Sequence, residues 1–412
     1  MTLRNGREFL AIPGPTNVPD AVLNAMHRPA VEIYTGSLVE TTMSCLEDLK
    51  RLFGTAKGRS YMYAANGHGA WEAALTNTLS RGDKVLVLGS GLFAVAWGDM
   101  AAFLDVEVEV LPAGYRHAVD PAAVETRLRA DQEKSIKAVL VVQVDTASSV
   151  VNDIPAIRAA IDAAGHPALF MVDAIASLVT MPFEMDAWGI DVAVTGSQKG
   201  LMTPPGLGFV AAGPRALAAH QSADLRTGYW DWTKREGPVH YQKFCGTPPE
   251  HLLFGLRKAI DMIFEEGLEA VFRRHRLLAE ATRRAVAVWA QGGVLDFNVV
   301  EPRARSNSVT TVRLEGVEPE LLRGYCDEIC GVVLGPGIGE LSGKAVRIAH
   351  MGHVNAPMML GTLAVVETAL GALGIAHGKG GVQAAVDYLA AEVPATAKAP
   401  VIDENLRKAM GA

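Results

Sequence analysis

The sequence predicts an α/β protein with a large domain on a mostly parallel sheet and a smaller α+β domain at its C-terminal end. The chain has 412 residues, more than the roughly 100–200 of a usual single domain. From Lys84 onwards, apolar runs alternate with amphipathic stretches, a pattern typical of parallel strands joined by crossover helices. After Thr247 two long amphipathic stretches come first and isolated strands follow. This order of two helical stretches followed by isolated strands predicts the smaller domain.

The predicted strands of the large domain are short, apolar and rich in β-branched residues. Strands of this kind are usually covered by helices on both faces of the sheet. In chain order they are KVLVLG, VEVEVLP, KAVLVVQV, ALFMVDA, DVAVTG and GFVAAG.

Two predicted helices precede the strands of the small domain. Pro248 and Pro249 suit the start of EHLLFGLRKAIDMIFEEG, which stops at Gly267, and a second helical stretch, LEAVFRRHRLLAEATRRAVAVWAQGG, follows. SVTTVRLEG and AVRIAHMG are predicted strands, separated by a helix, a strand and a glycine-rich loop. We predict an N-terminal arm over 1–15, a large domain over 16–268, a small domain over 269–390 and a tail over 391–412.

The amino-acid composition argues against nucleic acid and membranes as binding partners. A net charge of −7 and a pI near 5.9 argue against a nucleic-acid surface, which requires clustered Lys and Arg. The four cysteines are scattered without zinc spacing or the density of a disulfide scaffold, which favours a reducing compartment. No signal-peptide core and no apolar run of about 18 residues is found. We expect a cytoplasmic protein with no membrane partner.

Asp173 and Lys199 are the strongest candidates for chemistry. Asp173 ends one predicted strand and Lys199 follows another, and ligands of an open parallel sheet bind beyond the carboxyl ends of its strands. A pyridoxal-phosphate enzyme needs a lysine for a Schiff base and a carboxylate that keeps the pyridine nitrogen protonated. Taken singly, they could be a capping aspartate and a surface lysine. Together, with Ser197 and Gln198 beside the lysine, they indicate catalysis.

The segments GSQKG and LMTPPGLGFV resemble the lysine region of class-V aminotransferases, in the alanine–glyoxylate and serine–glyoxylate branch. The resemblance continues through IPGPTNVPDAVLNAM, ANGHGAWEAALTNTLSRGDKVLV, FCGTPPEHLLFGLRKA and GKAVRIAHMG, so it spans nearly the whole chain. It implies the aspartate-aminotransferase fold (fold type I) and pyridoxal 5′-phosphate as cofactor. It also implies a homodimer, or a dimer of dimers, with shared active sites.

The resemblance implies the residues at the phosphate end. Asn66, Gly67 and His68 would stand where helix N–H groups bind phosphate, although an ordinary Asn-Gly turn is the alternative. Ser197 and Gln198 resemble further phosphate contacts.

Three more cofactor contacts are implied. Phe93 falls where relatives often place a tryptophan that stacks on the pyridine ring, while Trp97 is better explained as core. Thr146 is a further contact. Thr247 matches a threonine that reaches the partner subunit's cofactor, and it could also cap the following helix.

The substrate-binding candidates are Arg347 and Tyr34. Arg347 matches the arginine that binds the substrate carboxylate, for which a planar fork of donors is suited, with a structural salt bridge as the alternative. The chain departs from the family at Ile33-Tyr34-Thr35 and at Gln143-Val144-Asp145, both expected near the substrate. His350 and His353 lack a third ligand at metal spacing, so we predict no metal.

We therefore predict a transfer of an amino group from a small amino acid, such as serine or alanine, to glyoxylate or pyruvate in a ping-pong cycle. Tyr34 and GKGGVQAAV are also similar to pyridoxamine–pyruvate aminotransferase, which is the first alternative. A lyase or desulfurase and a non-catalytic cofactor-binding protein are further alternatives.

Overall fold

The computed structural model describes residues 2–393, which form two sheets with helices packed against them. The strands are β1 (Phe9–Ala11), β2 (Arg59–Ala64), β3 (Lys84–Gly89), β4 (Glu107–Pro112), β5 (Ile136–Val142), β6 (Leu169–Asp173), β7 (Val192–Gly196), β8 (Leu207–Ala212), β9 (Leu295–Phe297), β10 (Val309–Leu314), β11 (Val332–Pro336) and β12 (Ala345–Ala349). The helices are α1 (Asp20–Met26), α2 (Ser37–Phe53), α3 (Gly67–Thr76), α4 (Leu92–Phe103), α5 (Pro121–Ala130), α6 (Ile154–Ala163), α7 (Pro214–His220), α8 (Trp232–Arg235), α9 (Glu250–Glu266), α10 (Leu268–Trp289), α11 (Pro319–Gly324), α12 (Ala356–Ala372) and α13 (Gly381–Glu392).

The larger sheet has seven strands in the order β2-β8-β7-β6-β5-β3-β4. The six strands that the sequence predicted are present as β3 to β8, and the mostly parallel α/β architecture is confirmed. β8 runs antiparallel to β7 and to β2. The reason is its connection, since residues 197–206 contain no crossover helix that could return the chain in parallel. The sequence pattern did not predict the edge strand β2.

The smaller sheet has five strands in the order β1-β11-β12-β10-β9. β1 comes from the predicted N-terminal arm and pairs in parallel with β11, so the first residues of the chain complete the sheet of the last third. The predicted helices on either side of Gly267 are confirmed as α9 and α10. The domain boundaries stay a prediction, and residues 394–412 of the predicted tail lie outside the described residues.

Alternation along the central strands places helices on both faces of the larger sheet. In β3, Leu86 and Leu88 belong to one apolar core, whereas Val85 and Val87 belong to the core on the opposite face. A third core lies between the smaller sheet and helices α10, α12 and α13. Among the helices of residues 2–393, none combines the length and the apolar character that crossing a bilayer requires.

Candidate active site

Lys199 lies three residues beyond the end of β7, at the carboxyl edge of the larger sheet. Its Nζ contacts the carbonyl oxygen of Pro13, and the Thr16 hydroxyl donates to the Lys199 carbonyl over 3.1 Å. Burial and the charge of Arg347 lower the pKa of Lys199 to about 8, although the charge of Asp173 opposes the shift. The segment around Pro13 therefore holds a lysine that can lose its proton near neutral pH.

Asp173 is the last residue of β6 and is almost completely buried. Its Oδ1 accepts a hydrogen bond from the Ile175 backbone N–H at 2.6 Å, and its Oδ2 accepts one from the Trp71 indole at 2.8 Å. Burial raises the pKa of Asp173 to about 7, against the effect of both donors. Among residues 2–393 no cationic side chain forms an ion pair with this carboxylate. Its remaining lone pairs are free for a ligand.

Lys199 and Asp173 line the same pocket, as the sequence predicted. Its lining comprises residues from the ends of β5, β6 and β7 and from the N-terminal parts of α3 and α4. The full lining is Gly67, His68, Trp71, Phe93, Val142, Val144, Thr146, Asp173, Ile175, Ala176, Gln198 and Lys199. Seven of these residues are site residues that the sequence singled out.

The N-terminus of α3 lies at one end of this pocket. Asn66 is the cap residue, and its Oδ1 accepts from the Gly69 N–H at 3.2 Å, so Asn66 is at the site without lining the pocket. Gly67 begins the helix, and a Cβ there would lie 2.5 Å from Ile175 Cδ1. A larger residue at position 67 would therefore require the Ile175 side chain to move. The free N–H groups and the helix dipole favour an anion at this end.

Ser197 and Gln198 occupy different places in the site. The Gln198 side chain lines the pocket, and its Oε1 is buried without a hydrogen-bond partner. The Ser197 hydroxyl donates to the Pro204 carbonyl at 2.7 Å and accepts from the Leu207 N–H at 3.3 Å. The Ser197 hydroxyl therefore stabilises the loop between β7 and β8, and Ser197 does not line the pocket.

Phe93 is positioned by Asp145, which the sequence analysis expected near the substrate without giving it a role. The Oδ2 of Asp145 accepts from the backbone N–H groups of Phe93 and Ala94 at 2.8 and 3.2 Å. Its Oδ1 accepts from those of Ala147 and Ser148 at 2.9 and 3.4 Å. The buried carboxylate thus joins the start of α4 to the loop after β5. Burial nevertheless raises the pKa of Asp145.

Arg347 lies on β12 of the smaller sheet and reaches the pocket through Thr146. Its Nη1 donates to the Thr146 carbonyl at 2.9 Å, and its Nε donates to the Pro336 carbonyl at 2.6 Å. No acidic side chain of residues 2–393 forms an ion pair with it, so the structural salt bridge considered above is not formed there. Burial lowers the pKa of Arg347 to about 10. Its charge remains available to a carboxylate ligand.

Besides Asn66, Ser197 and Arg347, two further predicted site residues do not line the pocket. Thr247 is exposed in the loop before α9, and the helix begins after Pro249, so the idea that Thr247 caps the helix is wrong. Tyr34 is 62% exposed and lies edge-on to Tyr241, with 6.4 Å between the ring centroids. Neither side chain meets Lys199 within one subunit.

The second family departure is only partly at the pocket. Val144 lines it, whereas Gln143 faces a separate cavity that Met181 and Trp188 also line. Alternation along the chain after β5 turns these neighbours to opposite faces. The functional residue that sequence reasoning missed is Trp71, whose only sequence signal is its place one turn into α3.

The donors and acceptors present fit pyridoxal phosphate. The pocket has a buried lysine, a buried carboxylate without an ionic partner, and, beside the N-terminus of α3, the Gln198 amide, whose NH2 group can donate to a phosphate. Lys199 would hold the aldehyde carbon, Asp173 the ring nitrogen and the α3 end the phosphate. Within residues 2–393 no group of three or more His, Cys, Asp or Glu side chains is arranged to hold a metal ion.

The family model for class-V aminotransferases matches residues 9–338. The chain is 41% identical to a serine–glyoxylate aminotransferase of Methylorubrum extorquens over 94% of this chain and 97% of the relative. It is 36% identical to an L-aspartate–glyoxylate aminotransferase of Paracoccus denitrificans over 88% of this chain and 91% of the relative.

A solved structure of a pyridoxamine–pyruvate aminotransferase from Mesorhizobium loti has a TM-score of 0.86 at 28% identity. The match covers 95% of this chain and all of that one (100%). The predicted aspartate-aminotransferase fold and the predicted cofactor are thereby confirmed. The chain belongs to the class-V aminotransferase family, in the branch that resembles the serine–glyoxylate and alanine–glyoxylate enzymes, and it is a pyridoxal-phosphate-dependent aminotransferase that acts on amino acids and 2-oxo acids.

Proposed function

We propose that this enzyme moves the amino group of a small uncharged amino acid, serine first among them, to glyoxylate or pyruvate by a ping-pong mechanism. The environment of the Arg347 side chain supports this proposal most directly. Its buried guanidinium is held by two backbone carbonyls beside the Lys199 pocket and has no acidic partner among residues 2–393. One such arginine serves donor and acceptor in turn, because both carry a carboxylate next to the reacting carbon.

The rest of the pocket favours a small neutral donor. Apart from Lys199, no lysine or arginine is among its lining residues, so a second carboxylate on the substrate side chain would lack a partner. Val142, Val144 and Ile175 provide apolar walls. The serine–glyoxylate relative at 41% identity supports the same choice, whereas the aspartate–glyoxylate relative makes aspartate the donor to test against it.

The roles proposed for the residues follow from their charges and contacts. Bound pyridoxal phosphate supplies the electron sink for bond cleavage at the substrate Cα. Lys199, whose pKa of about 8 leaves part of it neutral at pH 8, removes the Cα proton and returns it to the cofactor side. Asp173 keeps a proton on the ring nitrogen, Phe93 covers the ring, and Arg347 orients the carboxylate. The helix end at Gly67 and the Gln198 amide retain the phosphate.

We further propose a homodimer, or a dimer of dimers, with shared active sites. Thr247 is exposed, and three exposed aromatic residues occur in the same part of the chain or pack against it: Tyr34, Tyr229 and Tyr241. Thr247 and Tyr34 would then act in the partner's site. A cytoplasmic location is also proposed, supported by four free cysteines.

The pyridoxamine–pyruvate reaction is the second candidate, because the solved structure of that enzyme matches with a TM-score of 0.86. The two sequence features that pointed to it do not support it further. Tyr34 lies outside the pocket, and the glycine-rich segment GKGGVQAAV packs against Trp289 of α10. We therefore rank this reaction second.

A donor screen tests the proposal. The holoenzyme is mixed singly with serine, alanine, glycine, aspartate, cysteine and pyridoxamine, and the cofactor absorption band is followed before glyoxylate or pyruvate is added to restore it. We expect serine to deplete the band fastest and glyoxylate to restore it. Aspartate or pyridoxamine in first place would overturn the donor assignment, conversion of cysteine to alanine with transfer of its sulfur to a thiol would indicate a desulfurase, and no response to any donor would indicate a non-catalytic protein.

A further inference from the structure

The indole of Trp71 makes one directed contact in the active site. Trp71 lies one turn into α3 and is 1% exposed. Its Nε1–H donates to Asp173 Oδ2 over 2.8 Å, across 102 positions of sequence. The Asp173 carboxylate accepts one other hydrogen bond, from the Ile175 backbone N–H to Oδ1 at 2.6 Å. Trp71 is therefore the only side-chain donor to this carboxylate among residues 2–393.

Packing alone does not account for this indole. Trp71 stacks on Trp97 with ring centroids 5.9 Å apart and planes 18° apart, and His68 lies edge-on to it at 4.6 Å. Both tryptophans are buried in the same core, yet the Trp97 Nε1 has no hydrogen-bond partner. The Trp97 indole thus contributes packing only, whereas the Trp71 indole packs and also donates a hydrogen bond to Asp173. Substitutions of the two tryptophans therefore separate the effect of the hydrogen bond from the effect of packing.

We propose that Trp71 is a positioning residue of the transamination reaction, whose N–H keeps the Asp173 carboxylate ionised and oriented so that the cofactor ring nitrogen retains its proton. The proposal rests on the proposed role of Asp173 as the partner of that nitrogen. Trp71 itself need not contact a substrate, because it acts through the carboxylate.

The Asp173 carboxylate and the cofactor ring nitrogen would compete for one proton. Burial favours the neutral acid, and it raises the pKa of Asp173 to about 7 even with Trp71 in place. A hydrogen bond donated to a carboxylate favours the charged form. Without the indole N–H, Asp173 becomes a stronger base and takes the shared proton from the ring nitrogen. The electron sink is then weakened although the cofactor is still bound.

The test uses holoenzyme loaded with pyridoxal phosphate that carries ¹⁵N in its ring, because the ¹⁵N chemical shift reports whether this nitrogen is protonated. The variants are Trp71→Phe, Trp97→Phe as the control, and Asp173→Asn. For Trp71→Phe at pH 8 we expect the ratio of protonated to unprotonated nitrogen to fall about tenfold, the effect of one pKa unit. Trp97→Phe should match the wild type.

The outcomes separate the two proposals. One outcome would be a ring nitrogen that is protonated in the wild type, unprotonated in Asp173→Asn and still protonated in Trp71→Phe. In that case the Trp71 proposal fails, while the role of Asp173 stands. If Asp173→Asn retains the protonated nitrogen, the proposed role of Asp173 fails, and with it the role of Trp71. If Trp71→Phe does not fold, β-(benzothien-3-yl)alanine at position 71 gives the decision, because it keeps both rings and replaces N–H by sulfur. An unchanged ¹⁵N shift with that residue would overturn the proposal.

Discussion

The Arg347 guanidinium donates to the carbonyl oxygen of Thr146 at 2.9 Å, which fixes a side chain of the smaller sheet against the loop that follows β5 of the larger sheet. A second carbonyl, that of Pro336, accepts from Nε at 2.6 Å. Carbonyl oxygens orient the guanidinium without neutralising it. The two sheets thus meet at the positive charge of Arg347, beside the Lys199 pocket.

Replacing Arg347 by lysine keeps the charge and removes the planar fork. We expect every carboxylate substrate to bind more weakly by about 1–3 kcal/mol, the range for a hydrogen bond to a charged group. Spectral titrations with serine and with glyoxylate measure both dissociation constants. Arg323→Lys is the control, since Arg323 binds the Leu334 carbonyl and Glu320 away from the pocket. Weaker cofactor retention with unchanged substrate binding would make Arg347 structural.

Asp173→Asn should retain the fold but lose at least about two orders of magnitude in kcat, because an amide holds the ring proton poorly. Asp191→Asn is the matched control: Asp191 is also buried but pairs with Arg215 at the opposite edge of the sheet. We expect that control to lower thermal stability and to spare turnover. An Asp173→Asn enzyme with near wild-type kcat would refute the assignment.

Asp145→Ala should destabilise the protein by about 3 kcal/mol or more, because four backbone N–H groups, three of them buried, lose their acceptor. Urea unfolding of the holoenzyme measures the change. Asp153→Ala removes a cap at the start of α6, where one N–H is affected, and should cost about 1 kcal/mol. Equal losses in the two variants would show that Asp145 is an ordinary helix cap.

The raised pKa of Asp173 predicts how the stability of the cofactor-free protein depends on pH. The unfolded carboxyl titrates near its usual 3.8 and the folded one near 7, so its contribution is present below about pH 4 and is lost as the pH rises to 7. Relative to the wild type, Asp173→Asn should gain up to about 4 kcal/mol between pH 4 and pH 8. Urea unfolding at several pH values tests this, and a constant difference would contradict the shift.

Sequence patterns could predict the residues whose place depends on strand order. Asp173 ends one apolar strand and Lys199 follows another, and parallel strands end at one edge of a sheet, so their meeting follows from the topology. The direction of β8 was missed because the alternating pattern does not distinguish a short return from a crossover.

Contacts that depend on side-chain packing could not be predicted. The Trp71 bond to Asp173 requires the indole to point from α3 onto β6, which the packing between those elements decides. Asp145 was expected near the substrate, yet its carboxylate turns to the start of α4 and binds backbone N–H groups there. Ser197 has its hydroxyl bound to its own loop for the same kind of reason.

The most direct test of the proposed active site is to identify the lysine that carries the cofactor. The holoenzyme is reduced with borohydride, which fixes the cofactor to its lysine, and the modified peptide is identified by mass spectrometry. Lys243→Arg is a suitable control, because burial also lowers the pKa of Lys243 although that lysine lies outside the pocket. We predict one pyridoxyl group on Lys199 in the wild type and in the control, and none there in Lys199→Ala, which should also be inactive. A pyridoxyl group on any other lysine of the wild-type enzyme would contradict the active site described above.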